Sequence, residues 1–382
     1  MEKIYLDHAA TSPVHPDVLE VTYEAMKNHY GNASSIHNFG RDSRRLLDDA
    51  RLTFAKSIGA KQSEIVITSG GTESDNTAII ETALSRQETG KHLITSEIEH
   101  HAVLEPMEYL ESLGFEVTYL PVDTFGRVDP EAVREAIRPD TTLVSIMYGN
   151  NEVGTLMDIA KIGEIVAETD SYFHTDAVQA YGLEDIDVKR DQIDLLSVSA
   201  HKINGPKGVG FLYISEGIHL PSFMRGGEQE TKRRAGTENI PAIVGFKKAV
   251  EIIAAEKMER REKYQGYKCQ LIKNLADAKI DFEVNGDEQN GLAHIVNIWI
   301  KGVSSEQLLM NLDLMGIAIS AGSACTAGNV EPSHVLTAMY GTENPWISES
   351  VRISFGLGTT SEMLSELTDK LALFVSRLKI NE

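Results

Sequence analysis

Lys202 closes the segment Ser199-Ala200-His201-Lys202, between the apolar run Leu195-Leu196-Ser197-Val198 and the turn residues Asn204-Gly205-Pro206. The spacing puts an amine at the carboxyl end of a buried strand, where ligands bind in open α/β sheets and a lysine can form a Schiff base with a carbonyl compound. Taken alone, the position suits a solvated loop lysine better. Asp176, in His174-Thr175-Asp176-Ala177-Val178-Gln179, ends another apolar run 202 − 176 = 26 residues upstream, about one βα unit. A carboxylate there either caps the next helix or holds the protonated ring nitrogen of pyridoxal phosphate, making the ring an electron sink.

Other strand ends are polar too. Ser69-Gly70-Gly71-Thr72-Glu73-Ser74 separates an apolar run from a helical stretch. Its glycines admit an anion close to backbone N–H groups and Thr72 adds a hydroxyl, although the same pattern makes a plain tight turn about as often. It matches neither GxxxxGK[ST] nor GxGxxG. Glu99-His100-His101 follows Leu93-Ile94-Thr95-Ser96 and offers a flat imidazole that can stack on a ring and shuttle protons, the other histidine merely starting a helix. Asn150-Asn151-Glu152 holds the equivalent place after Leu143 to Met147. Thr72, His100, Asn151, Asp176 and Lys202 thus stand at five successive strand ends, a coincidence that outweighs the bland reading of each.

Ser320 to Gly328 is nearly all small residues around one thiol, Cys325. It reads as a mobile loop whose sulfur can reach a substrate and withdraw, the alternative being an inert residue in a tight turn. Cys269 lies in a helical tract with Ile272 and Ala276 at +3 and +7 and reads as packing. In Val351-Arg352-Ile353-Ser354-Phe355 the alternation turns Arg352 away from its local core. If that face meets the rest of the chain, its planar fork suits a substrate carboxylate; spacing alone favours a surface arginine. Arg233-Arg234-Ala235-Gly236-Thr237-Glu238-Asn239 is a polar loop that could serve as a hinge.

The scaffold for these residues is an α/β one. Between Glu64 and Gly217 seven apolar runs alternate with helical stretches, the signature of βαβ units and a mainly parallel sheet. Ile240 to about Ala278 is a long helical tract whose charged centre, Glu256 to Lys263, marks a solvated face and which bridges two domains. Beyond it, His294 to Ile300, Glu306 to Met315 and Ser350 to Phe355 read as strand, helix and strand of a small α+β domain. The expected division is an arm over 1–15 belonging to the small domain, a large domain over 16–255, and a small domain over 256–382 carrying Cys325. A chain of 382 residues is long for one domain, in keeping with that division.

Composition narrows the function. A formal net charge of -21 argues against a nucleic-acid surface. Two cysteines make neither a disulfide framework nor a metal pattern, so no metal is expected and a reducing cytoplasm fits. Neither end reads as a targeting signal, and no run of about 18 apolar residues offers a membrane span.

Together these motifs resemble the cysteine desulfurases, pyridoxal-phosphate enzymes of the aminotransferase type I fold. The resemblance runs nearly end to end, through Tyr5-Leu6-Asp7-His8-Ala9-Ala10-Thr11, Thr68 to Asn76, Glu99-His100, Asn150-Asn151-Glu152, Ser199 to Lys202 and Gly322-Ser323-Ala324-Cys325. The longer stretch after Cys325, through Val330-Glu331-Pro332-Ser333, is similar to the class serving iron–sulfur and tRNA thiolation pathways. One departure is Ala33 after Gly31-Asn32, where the family usually has proline; it loosens the turn.

The resemblance implies that Lys202 carries pyridoxal 5'-phosphate and that Asp176 pairs with the ring nitrogen, Gln179 meets the ring hydroxyl and His100 stacks on the ring. Gly71, Thr72, Ser199 and His201 would hold the phosphate, with Thr237 reaching it from the second subunit of a homodimer. Asn151 would face cofactor and substrate, and Asn32 and Arg352 would bind the substrate carboxylate. Cys325 would take sulfur from L-cysteine as a persulfide, releasing L-alanine, and pass it to an acceptor protein. A tRNA 2-thiouridine synthase is favoured over an iron–sulfur scaffold. The alternatives are a related pyridoxal-phosphate lyase or aminotransferase without persulfide chemistry, and a silent sulfur-transfer scaffold.

Overall fold

The computed structural model describes residues 3–322 and 332–380. The chain enters through β1 (Ile4–Tyr5), and the seven apolar runs become β2 (Ile65–Thr68), β3 (His92–Ser96), β4 (Glu116–Leu120), β5 (Thr141–Ser145), β6 (Tyr172–Asp176), β7 (Leu195–Ser199) and β8 (Gly210–Ile214). They form one sheet in the order β2-β8-β7-β6-β5-β3-β4. Only the two pairings made by β8 are antiparallel. The expected mainly parallel seven-stranded sheet is therefore present, and its inner strands are buried, save for a half-buried Tyr172 at the start of β6, because helices cover both faces.

One face packs Leu93, Leu143, Leu195 and Leu212 against Ile79 and Met107 of the helical stretches that follow β2 and β3. The opposite face carries the larger core, where Phe54, Phe211 and Phe246 stack on one another. Residues 71–86 are helical throughout, passing through a π segment at Thr77–Glu81.

The helix Ile240–Asp277 runs along the helices Pro16–Asn28, Asn38–Ser57 and Ser361–Ile380. Its charged centre is not wholly solvated, because Arg260 turns inward and donates to Asn204 Oδ1 at 2.8 Å. Cys269 reverses the packing expectation: the buried face there is Tyr264, Tyr267, Lys268 and Leu271, and the thiol is exposed.

The remaining strands are β9 (Phe282–Asn285), β10 (Ile295–Ile300), β11 (Ile317–Ala318) and β12 (Ser350–Ser354). β9, β10 and β12 make an antiparallel sheet, and β1 pairs with β11. The arm is also tied to β12, Ser354 N donating to Leu6 O at 2.8 Å and Ala9 N to Ser354 Oγ at 2.8 Å. These bonds bring residues 7–12 across the carboxyl ends of β6 and β7. Among the described residues no helix is long and apolar enough to cross a membrane.

Candidate active site

At the carboxyl edge of the large sheet lies a cavity of about 230 Å³. Its wall includes Lys202, Asp176, His100, Asn151 and Thr72, the five strand-end residues, together with Gly71, Gln179, Ser199, His201 and Arg352. Asn32 and Thr237 are not on this wall. Asn32 is exposed and accepts from Ser34 N at 2.9 Å in its own turn. Thr237 is exposed on the loop before the helix Ile240–Asp277. Cys325 lies outside the described residues.

Lys202 ends the short helical turn Ala200–Lys202 after β7, and its Nζ donates to the carbonyls of Ala9 and Ala10, the latter at 2.9 Å. Gln179 Nε2 donates to the same Ala9 carbonyl at 2.9 Å, and its Oε1 lies 3.4 Å from His294 Nε2. The arm therefore fixes both side chains through backbone carbonyls, a role that sequence reading cannot assign because any residue supplies a carbonyl. His201 Nδ1 meets Thr11 Oγ1 at 3.1 Å from the same arm.

His100 caps the helix His101–Ser112, its Nδ1 accepting from Ala102 N at 3.0 Å. Burial, with the nearby Lys202 charge, lowers its pKa to about 4, and the amide leaves Nε2 as the protonated nitrogen of a neutral ring. The helix cap is thus His100 itself, which also lines the cavity. Behind it Glu99 is fully buried, and burial pushes its carboxyl up to about 8 despite the Ser96 hydroxyl and Met147 amide.

Arg352 is 1% exposed, which overturns the surface reading that spacing alone favoured. The reason is the pairing of β12 with the arm: Arg352 Nη2 donates to Asp7 Oδ1 at 2.9 Å and Nη1 to Asn151 O at 2.8 Å. Its face of the strand meets the large sheet, not water.

The residues fit pyridoxal phosphate on two observations. Burial pushes the Asp176 carboxyl up to about 6, against the opposing pull of the Val178 amide and the Lys202 charge. Such a group gains most from a cationic partner, which a protonated ring nitrogen would be. At the other end, Gly70 holds φ +150, a conformation open to glycine, and a Cβ on Gly71 would sit 2.8 Å from Val178 Cγ2. Gly71 therefore has no room for a side chain, and with Thr72 it brings the start of this helix to the cavity wall, where an anion can meet backbone. Arg234 clamps this turn by donating to both oxygens of Glu73 at 2.8 and 3.1 Å.

Sequence reading also missed Asp75, which lines the cavity at 1% exposure, and the row Ser145, His174 and Ser197 beneath it. The alternation of β6 carried a signal, since His174 and Asp176 must share a face.

The class-V aminotransferase family profile matches residues 4–367. A Bacillus subtilis (strain 168) protein bearing the name IscS 1 is 56% identical over 378 residues, 99% of this chain and 100% of its own. Cysteine desulfurase IscS of Dictyoglomus turgidum is 45% identical over 377 residues, covering 99% and 95%. Among solved structures, a NifS-like protein superposes with a TM-score of 0.92 at 33% identity, covering 98% of this chain and 100% of its own. SspA in complex with cysteine gives 0.81 at 38%, covering 93% and 99%.

Proposed function

We infer from its membership of the class-V aminotransferases, and within them of the cysteine desulfurases, that the chain takes sulfur from L-cysteine with the cavity residues in the following roles. The observation that carries the reading is the convergence of Lys202, Asp176 and His100 on one cavity whose wall also holds the glycine turn at Gly71 and Thr72. Bound there, pyridoxal phosphate supplies an electron sink for charge developing at the substrate α-carbon.

Gly71, Thr72, Ser199 and His201 would hold its phosphate. Asp176 would face the ring nitrogen, Gln179 the ring hydroxyl and the neutral His100 ring one face. Lys202 Nζ would be its point of attachment and the base for the substrate α-proton. Arg352 and Asn151 orient the substrate carboxylate. The Cys325 thiolate attacks the substrate sulfur; an S–S bond forms, the C–S bond breaks, and its electron pair stays on the carbon that is protonated to give alanine.

Two further features belong to this reading. Leu19, Tyr23 and Met26 make an exposed apolar stripe on the helix Pro16–Asn28, continued by Tyr30, Ile36 at 91% exposure and Phe39. A stripe of that kind supports a homodimer, in which Thr237 of one subunit completes the phosphate site of the other. The persulfide then goes to an acceptor, for which the tRNA 2-thiouridine synthase is favoured over an iron–sulfur scaffold. With two cysteines and a thiol that must stay reduced, the cytoplasm suits the chemistry. The division into 16–255 and 256–382, with residues 1–15 joined to the latter, has the helix Ile240–Asp277 as its bridge.

The test is turnover by the pyridoxal-phosphate-loaded protein with L-cysteine and purified acceptors. One alanine per sulfur transferred supports the reading; no alanine overturns it. Labelled sulfur reaching the iron–sulfur scaffold and not the tRNA enzyme would reverse the acceptor assignment.

A further inference from the structure

We propose that Asp75 stays protonated when the cofactor is bound and acts as a positioning residue, leaving the single negative charge of the pair on Asp176. The inference rests on the cofactor reading above and concerns a residue without a role in it.

Asp75 lies in the first turns of the helix that starts at Gly71, and it lines the same cavity as Asp176. His174 and Asp176 of β6, Ser197 of β7 and Glu99 beyond β3 face it. The charges bearing on Asp75 are those of Asp176 and Glu99, both negative when ionised. Two carboxylates buried side by side cannot both ionise cheaply, so one keeps its proton.

The surroundings decide which one. Asp176 Oδ1 accepts from Val178 N at 2.9 Å and feels the Lys202 charge, both favouring ionisation. A ring nitrogen would add a third such influence. Asp75 has Ser197 as partner, while its Oδ1 has no hydrogen bond among the described residues. That oxygen is 3.5 Å from His174 Nε2. Burial raises Asp75 well above the ordinary carboxylate range, in the same direction.

A row of hydrogen bonds accommodates the proton. His174 Nε2 lies 3.0 Å from Ser197 Oγ, and Nδ1 lies 2.8 Å from Ser145 Oγ. With Asp75 protonated, it donates to Ser197, Ser197 donates to Nε2, and Nδ1–H donates to Ser145. With Asp75 ionised, every bond in the row reverses. Burial lowers His174 to about 3, so the ring is neutral either way and adds no counter-charge.

The experiment is infrared spectroscopy of the holoenzyme at pH 8 with and without 13C-labelled aspartate, alongside a pH titration of the cofactor's visible band in wild type and Asp75→Asn. The expected result is a carboxylic-acid carbonyl band that moves on aspartate labelling and is lost in Asp75→Asn, with the titration midpoint unchanged within about 0.3. No aspartate-derived acid band in wild type overturns the proposal, whether or not the variant folds. So does a band that survives Asp75→Asn, or a midpoint displaced by a pH unit or more, as removal of a real charge would cause. Wild type that never develops the visible band would overturn the cofactor reading itself, and the inference with it.

Discussion

Arg352 Nη2 lies 2.9 Å from Asp7 Oδ1, joining β12 to the N-terminal arm at the rim of the cavity. The same guanidinium donates to the Asn151 carbonyl, so one buried side chain ties the small sheet, the arm and the large sheet together. Its Nε has no partner among the described residues, which leaves a donor for an incoming carboxylate. Arg352→Lys loses the planar fork. The variant should raise KM for L-cysteine about 10- to 100-fold, a charge-assisted bond being worth about 1.5–3 kcal/mol, with cofactor loading retained. Steady-state kinetics and the visible spectrum check it, and an unchanged KM removes Arg352 from substrate binding.

His100 combines a helix cap with a ring against the cofactor, and the two can be separated. Asparagine is a good cap but has no ring. His100→Asn should stay within about 0.5 kcal/mol of wild-type stability while kcat falls roughly 10²-fold or more. Denaturant unfolding and turnover measure both. A variant of full activity would leave His100 as a cap alone.

Lys202→Ala should abolish covalent attachment of the cofactor and lower turnover by at least about 10³-fold. Acid precipitation and borohydride trapping of the loaded protein report the attachment. If cofactor is still trapped on the variant, another lysine is responsible.

His8, His100, His174, His201 and His294 are all held neutral by burial, at about 4, 4, 3, 4 and 3. Unfolded, each binds a proton near pH 6.5, so acidification from about 6.5 toward 4 favours the unfolded chain and stability is lost in that window. Asp176 and Glu99, raised to about 6 and 8, act in the opposite sense, since the folded chain keeps protons that the unfolded chain has released. Asp75, raised well above the ordinary carboxylate range by burial, acts with them, and five groups still outweigh these three. Cofactor-free protein should unfold at lower denaturant at pH 5 than at pH 7, and His174→Gln should flatten that difference by about one proton's worth. An equal slope in the variant contradicts it.

The parts of this account that sequence shows best are those set by periodicity and punctuation. The runs ending at Ser96, Asp176 and Ser199 are buried strands because alternating helices cover them, and their polar termini converge because parallel strands end on one edge. What stayed hidden depended on distant pairing. Arg352 looked like a surface residue until Asp7, 345 positions away, was seen to cover it. The carbonyls of Ala9 and Ala10 carry no side-chain signal, and Asp75 reads as an ordinary helix residue until the sheet buries it beside Asp176. Cys269 shows the reverse error, a plausible packing residue on the outer face of its helix.

The most direct test of the central claim is mass analysis of the pyridoxal-phosphate-loaded protein after one turnover with L-cysteine, in wild type and Cys325→Ser. The account predicts one added sulfur atom on the Cys325 peptide and one alanine released per sulfur, with neither in the variant although its visible cofactor band persists. Alanine formed by Cys325→Ser at the wild-type rate, or sulfur found on Cys269 instead, would contradict it.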